Sequence, residues 1–187
     1  NFSYFDYDIR QLSVGDIPYL TDIDTMVESY MYNPKGIPYH TWGAQTNYHP
    51  VFMAQWAIQK MDVIFSTRDI SLIPELCKVA NHMIDYSNEK NGMHFLPYEF
   101  DFPLHADTNQ TLDAPWYSGM AQGQMLTFYT RLFILTGDRK YLDSGYQLLK
   151  SFFTFDSMNI YPWISTVESD GNVWIEEYPM KPACFTL

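Results

Sequence analysis

The 187-residue sequence predicts a mainly α fold, a partial (α/α) toroid of helical hairpins with short β-hairpins in its rim loops. Three observations carry that expectation. Apolar residues return at helical spacing in four stretches, a Thr-x-Asp break recurs between helix partners, and short alternating stretches bounded by Pro and Gly lie in the connections. The length suits one domain with a sizeable core. It divides into an extended N-terminal arm, residues 1–35, and a toroid domain, residues 36–187, expected to break off before its third hairpin.

Taken in order, residues 1–35 mix aromatic and acidic side chains without a sustained period, and Pro18 and Pro34 interrupt any long element. An arm with one short strand is expected. Residues 36–50 form a loop rich in hydrogen-bonding side chains, including Trp42, Gln45, Tyr48 and His49. They read either as groove lining or as a packed lead-in to Pro50 at the first helical position. Met53, Trp56, Ala57, Met61 and Ile64 then mark a helix over 51–65, which Thr67-Arg68-Asp69 breaks. A second helix runs over 71–86, capped by Ser71, with Leu76, Val79, Ala80 and Met83 on its buried stripe; residues 88–92 end it. Residues 96–104 alternate, Leu96, Tyr98, Phe100, Phe102 and Leu104 on one side and Glu99 and Asp101 on the other. That is a strand pattern, confined to an edge or hairpin by Pro97 and Pro103. A polar loop over 105–113 holds the sequon Asn109-Gln110-Thr111, which matters in a glycosylating compartment.

The third helix starts near Ser118 and stops at Gly137, with Ala121, Met125, Phe128, Tyr129 and Leu132 inward. Asp138 caps the fourth, which turns Tyr141, Leu142, Gly145, Leu148, Leu149 and Phe152 inward. Two alternating stretches flanking Ser169-Asp170-Gly171 close the chain as a hairpin. Met53-Ala54-Gln55 recurs as Met120-Ala121-Gln122, and Thr67-Arg68-Asp69 recurs as Thr136-Gly137-Asp138, offsets of 67 and 69 residues. The unit is a helical hairpin plus a strand-bearing loop, and stacked units of this kind underlie the toroid expectation. The next inner helix would begin near residue 187. The apolar edge left by an incomplete toroid would be covered in a homodimer.

Composition narrows the partners. The net charge of −11 argues against nucleic acid, since no basic cluster larger than Arg139-Lys140 is present. Aromatic residues make up 18%, with 15 Tyr and 5 Trp, which suits either a groove that is wet at one end, as sugar sites are, or a large aromatic core with tyrosines at its rim. Cys77 and Cys184 read as buried thiols, and the five histidines show no metal-ligand spacing, so no metal is expected. No apolar run approaches the roughly 20 residues of a membrane span, and no signal peptide heads the chain. A secreted, periplasmic or secretory-lumen location is expected over a cytoplasmic one.

Two landmarks concentrate the chemistry. W-I-E-E-Y-P, residues 174–179, sets Glu176, Glu177 and Tyr178 side by side, and both carboxylates cannot be buried unpaired. P-W-Y-S-G-M-A-Q-G-Q, residues 115–124, crowds Trp116, Tyr117, Gln122 and Gln124 around a helix start. These stretches are expected to meet across one saccharide cleft, with Trp42, Trp116 and Trp174 available to stack on sugar faces.

The same two motifs, together with G-I-P-Y-H-T-W-G and H-P-V-F-M-A-Q-W, resemble the C-terminal catalytic domain of the D-glucuronyl C5-epimerases, which convert glucuronate to iduronate in heparan-type polysaccharides. The resemblance runs over residues 36–187. It implies an (α/α) toroid, a uronate-containing polysaccharide as substrate, no organic cofactor, and abstraction and return of the carbon-5 proton. It places the acid/base glutamate and tyrosine at Glu177 and Tyr178, with Tyr117, Gln122 and Gln124 as cleft residues; Trp116, Trp42 and Glu176 are expected as further substrate contacts from their positions in or beside the motifs. An inserted β-sandwich of the animal enzymes has no counterpart after residue 65, and the family's carboxylate-binding arginine and second catalytic tyrosine fall beyond Leu187.

That chemistry needs an acid/base group on each face of the ring and donors that stabilise an enolate beside an existing carboxylate. Two other readings fit the residues. One is an α/α-toroid glycoside hydrolase or lyase using Glu177 with Glu99 or Asp101. The other is a carbohydrate-binding domain that does not catalyse.

Overall fold

The computed structural model describes residues 30–42, 45–158 and 161–180. Most of the expected N-terminal arm and Cys184 lie outside them. The described chain runs β1 (Met31–Tyr32), β2 (Pro38–Trp42), β3 (Gln45–Asn47), α1 (Pro50–Thr67), α2 (Ile73–Tyr86), β4 (Asn88–Lys90), β5 (Met93–Phe95), β6 (Pro97–Tyr98), β7 (Phe102–Pro103), β8 (Thr111–Leu112), β9 (Trp116–Tyr117), α3 (Gly119–Thr136), α4 (Arg139–Ser151), β10 (Ser165–Val167) and β11 (Val173–Ile175).

The mainly α toroid expectation is corrected here. The fold is mixed, about 50% helix and 19% strand, and the strands form several small antiparallel sheets. The physical reason lies in the long connections, whose backbone N–H and C=O groups need partners and find them in one another. Residues 96–104, which alternate like a single strand, break at 99–101 into two pieces. β6 pairs with β9 and β7 with β8, so Pro97 and Pro103 each sit in a two-stranded ladder, where a missing donor costs little. Residues 88–92 do more than end α2. Asn91 (φ 54°) and Gly92 (φ 73°) make the left-handed turn of the hairpin β4–β5. The last hairpin, β10–β11, forms where the sequence indicates.

The helices follow local rules closely. Pro50 opens α1, and Met53, Trp56, Ala57, Met61 and Ile64 are all buried along it. Ser118 caps α3 by accepting from the Ala121 N–H, and Gly137 stops it in the left-handed region. Two details differ. Asp69, rather than Ser71, caps the turn before α2. Leu149, expected inward on α4, is 39% exposed.

α3 packs against α1, α2 and α4, and the space between helices is filled by Trp56, Phe65, Met83, Phe128, Tyr129 and Leu132. α1 and α3 run in the same direction, which lets Asp62 meet Arg131 in a buried ion pair at 3.1 Å. These two residues are 69 apart, as are the helix starts Pro50 and Gly119 and the helix ends Thr67 and Thr136. The structural repeat is therefore 69 residues throughout. The Met-Ala-Gln triplets, offset by 67, are not equivalent: Gln55 is exposed and Gln122 fully buried. A two-residue slip turns a helical side chain through about 200°, enough to reverse inside and outside. No described helix is long and apolar enough to cross a membrane.

Candidate functional site

The N-termini of α1 and α3 end at one cavity, closed from the other side by the loop ladders and by the segment after β11. Its volume is about 70 Å³, opening into a hollow of about 340 Å³ counted out to solvent. The enclosed 70 Å³ is well below the roughly 300–1,000 Å³ of ligand pockets, so the cavity is a small recess open to solvent.

The floor is aromatic. Tyr98 stacks on Trp116 at 3.9 Å between ring centroids and 13° between planes, and Trp116 Nε1 donates to the Phe100 carbonyl at 2.9 Å. Phe102 lies parallel to Tyr178 at 5.6 Å, and Trp116 is tilted against Tyr178 at 6.0 Å. The alternation of 96–104 is what turns Tyr98 and Phe102 toward Trp116. The Tyr98 hydroxyl accepts from the Val51 N–H at 3.3 Å. Burial raises its pKa above the usual phenol range, and nearby Tyr178 and Glu177 add to the rise, so Tyr98 keeps its proton at all ordinary pH.

Glu177 and Tyr178 both line this cavity. On a straight extended segment they would face opposite ways, but the backbone bends at 177–178 and brings both in. The bend is held from the preceding residue. The Gly119 N–H donates to the Glu176 carbonyl at 2.8 Å, and the Glu176 N–H donates to the Ile164 carbonyl at 2.8 Å. A Cβ on Gly119 would fall against Ile175 Cγ2 and 2.8 Å from the Glu176 carbonyl oxygen, so glycine is required by the closeness of approach. Glu176 itself turns away. It is 2% exposed and accepts from the Thr166 hydroxyl at 2.5 Å, and burial raises its carboxyl above the usual range while that hydroxyl opposes the shift.

Of the residues expected to contact substrate, Trp116, Glu177 and Tyr178 are brought together. Tyr117, Gln122, Gln124 and Glu176 do not line the cavity. Gln122 is fully buried and its side chain is spent on the fold, accepting from the Leu96 N–H at 3.0 Å and donating to the His94 carbonyl at 2.9 Å and Ser151 Oγ at 2.8 Å. Tyr117 is buried in the next aromatic cluster, its hydroxyl accepting from Asn88 Nδ2 at 3.0 Å. Gln124 is half-buried, with Oε1 unpartnered. Trp42 lies in β2, its side chain outside the described portion. Glu99 and Asp101, the alternative carboxylate partners, are exposed on the far side of the alternating segment. Asp101 accepts from the Ala114 N–H.

By sequence reasoning Tyr98, Phe102 and Ser118 are strand and cap residues, not cavity lining, and His49 is only one residue of a loop with two readings, groove lining or packed lead-in. The usable signal is the 69-residue frame, which makes His49 and Ser118 equivalent N-caps of two parallel helices. The His49 side chain makes no capping bond. Burial, and after it the neighbouring His40, hold its pKa down at about 4. Among the described residues no group of three or more His, Cys, Asp or Glu is placed to hold a metal ion.

The cavity thus lies at paired helix N-termini, floored by aromatic rings and edged by a carboxylate and phenols. Residues 89–187 match the family described as D-glucuronyl C5-epimerase C-terminus, and the chain belongs to that family. The D-glucuronyl C5-epimerase of Caenorhabditis elegans is 33% identical over 108 residues, a match that covers 58% of this chain and 16% of that protein.

Proposed function

We propose that this chain contributes to a uronyl C5-epimerase site that takes one residue of a uronate-containing polysaccharide, with Glu177 and Tyr178 as acid/base groups. The supporting observation is the bend after Glu176, which turns both side chains into one aromatic-floored cavity. In the reaction, the base takes the carbon-5 hydrogen as a proton. The C–H electron pair moves into the neighbouring carboxylate as an ene-diolate, and a proton delivered to the other ring face completes inversion. Tyr98, holding its proton beside Glu177 and Tyr178, supplies a fixed dipole that need not reorganise as charge develops. Phe102, half-buried, offers an apolar face to the sugar, and Trp116, buried between Tyr98 and Phe102, holds that face in place. The hydrolase and lyase reading loses support, because neither Glu99 nor Asp101 lines the cavity.

The test is deuterium incorporation at carbon 5 of a glucuronate polysaccharide in heavy water, using the full-length protein. Tyr178→Phe and Glu177→Gln should each slow exchange by about 10²–10⁴-fold while the protein stays folded. Wild-type protein that binds uronan without exchanging this hydrogen would indicate the carbohydrate-binding alternative.

A further inference from the structure

We propose that Glu176 and Thr166 are a positioning pair for this site: the hydrogen bond between their side chains fixes the bend that turns Glu177 and Tyr178 into the cavity. The proposal rests on the epimerase reading above and adds to it the residues that hold its acid/base groups in line.

Glu176 is the last residue before the bend, and its polar groups are tied to separate parts of the fold. Its N–H donates to the Ile164 carbonyl and its carbonyl accepts from the Gly119 N–H, each at 2.8 Å. Its carboxyl accepts from the Thr166 hydroxyl at 2.5 Å. The receiving elements are themselves anchored. Ser165, between Ile164 and Thr166, donates from its N–H to the Thr154 carbonyl at 3.3 Å and from its hydroxyl to the Phe152 carbonyl at 2.8 Å, which fastens β10 to the end of α4. Gly119 opens α3. Glu176 therefore joins the start of α3 to the end of α4, immediately before the two acid/base residues.

The side-chain tie does what the backbone bonds do not. Thr166 stands opposite Trp174 in the β10–β11 ladder, and Glu176 follows Trp174 by two residues, so alternation puts all three on one face of the hairpin. Side chains leave a strand roughly perpendicular to its backbone hydrogen bonds. The two backbone bonds set where the segment lies, and the carboxyl–hydroxyl bond, out of their plane, sets its rotation. That rotation decides where Glu177 and Tyr178 point.

A carboxyl is also an expensive group to place here. Glu176 is 2% exposed. Burial raises its carboxyl above the usual range, the Thr166 hydroxyl opposes that shift, and Asp156, another acid, adds to it. An apolar side chain would cost the fold less. Hairpin stability therefore does not account for the carboxyl, whereas a directional bond to Thr166 does.

The experiment measures kcat and KM for carbon-5 exchange in full-length wild type, Thr166→Val, Glu176→Ala, and two variants that keep the bond, Thr166→Ser and Glu176→Gln. Amide hydrogen exchange over residues 174–180, read by mass spectrometry, follows the bend itself. A shift of 1 Å in a reacting group costs about 10²-fold in rate, so Thr166→Val and Glu176→Ala should each lower kcat by about 10–10²-fold, change KM by less than about threefold and speed amide exchange. Thr166→Ser and Glu176→Gln should keep most of the wild-type kcat, and the double variant Thr166→Val with Glu176→Ala should be no worse than the poorer single one. A structural role alone would lower thermal stability and leave kcat per folded molecule unchanged. Folded Thr166→Val and Glu176→Ala with wild-type kcat would overturn this proposal and leave the epimerase reading intact, as would Glu176→Gln as slow as Glu176→Ala. Should Glu176→Ala unfold, Thr166→Val, which keeps the β-branched shape of threonine, carries the test. Wild type that exchanges no carbon-5 hydrogen would overturn the epimerase reading itself, and unchanged amide exchange in Thr166→Val would then overturn the positioning claim as well.

Discussion

Traced from one end to the other, the first and second helical hairpins begin alike and finish differently. At the turn end the match is bond for bond. Thr67 Oγ1 donates to the Val63 carbonyl, as Thr136 Oγ1 does to that of Leu132. The N–H groups of Asp69 and Asp138 donate to those threonines, each at 3.2 Å, and the two aspartates then accept from the N–H two residues on, at Ser71 and Lys140, to cap the next helical turn. Arg68 and Gly137 both take a left-handed backbone to make the corner. At the cavity end the equivalents part: Ser118 caps its helix and His49 does not, and Gly119 is pressed on the β11 segment where α1 has Pro50. Repetition is kept where only the backbone needs satisfying, and it is lost where side chains meet a cavity.

The strongest way to break the comparison is at the buried pair that joins equivalent positions of α1 and α3. Asp62→Ala leaves the 7%-exposed Arg131 without this carboxylate and should cost about 3–5 kcal/mol, read by urea unfolding. Asp62→Leu combined with Arg131→Met should recover most of that loss. At the cavity end, Gly119→Ala should cost about 3 kcal/mol, since the backbone of Glu176 cannot yield as a flexible side chain would. Because it also shifts the segment that carries Glu177 and Tyr178, carbon-5 exchange should fall further than the loss of stability explains.

A pH titration separates the two N-caps without touching the turns. His49 has a folded pKa of about 4 against 6.5 unfolded, so the unfolded chain binds more protons between these values. Its contribution to stability is complete above about pH 6.5 and is lost as pH falls through 4. Allowing for partial exposure, wild type should lose about 2 kcal/mol more than His49→Gln over that interval, measured by denaturant midpoints. His82 and His94, also lowered by burial, act in the same direction, and Glu176, raised by burial, acts in the opposite one; all three remain in both proteins. The smallest effect is at the turns. Asp69→Ala and Asp138→Ala should each cost about 1 kcal/mol. Thermal unfolding that shows one cost to be several times the other would end the claim that the turns are equivalent.

The helices are legible in the sequence because their signals are short-range. Pro50, Ser118, Gly137 and Asp138 act on their own helix ends, and the buried stripes of α1, α2 and α3 obey the 3.6-residue period. The Asn91-Gly92 turn is also local, but it comes directly after α2 and so reads only as that helix's end. Gln122 shows the limit of motif reading. Two amides near a helix start look like ligand contacts until Leu96, His94 and Ser151 are found to occupy one of them. Glu177, Tyr178 and Trp116 can be named from motifs and His49 belongs to a loop that could line a groove, whereas Tyr98 becomes a cavity residue only when α1, β6 and the β11 segment are seen together.

By itself, then, the sequence determined the four helices, the caps at Ser118, Gly137 and Asp138, the alternating side of 96–104 and the membership of its motifs in one family, since each of these depends on residues within a few positions of one another. Tertiary structure alone decided that the connections pair into small sheets, that Glu176 turns inward while Glu177 and Tyr178 turn to the cavity, and that His49 faces the site. Those outcomes depend on which distant backbone groups satisfy each other, and a period of two or of 3.6 carries no information about partners 50 or 100 residues away.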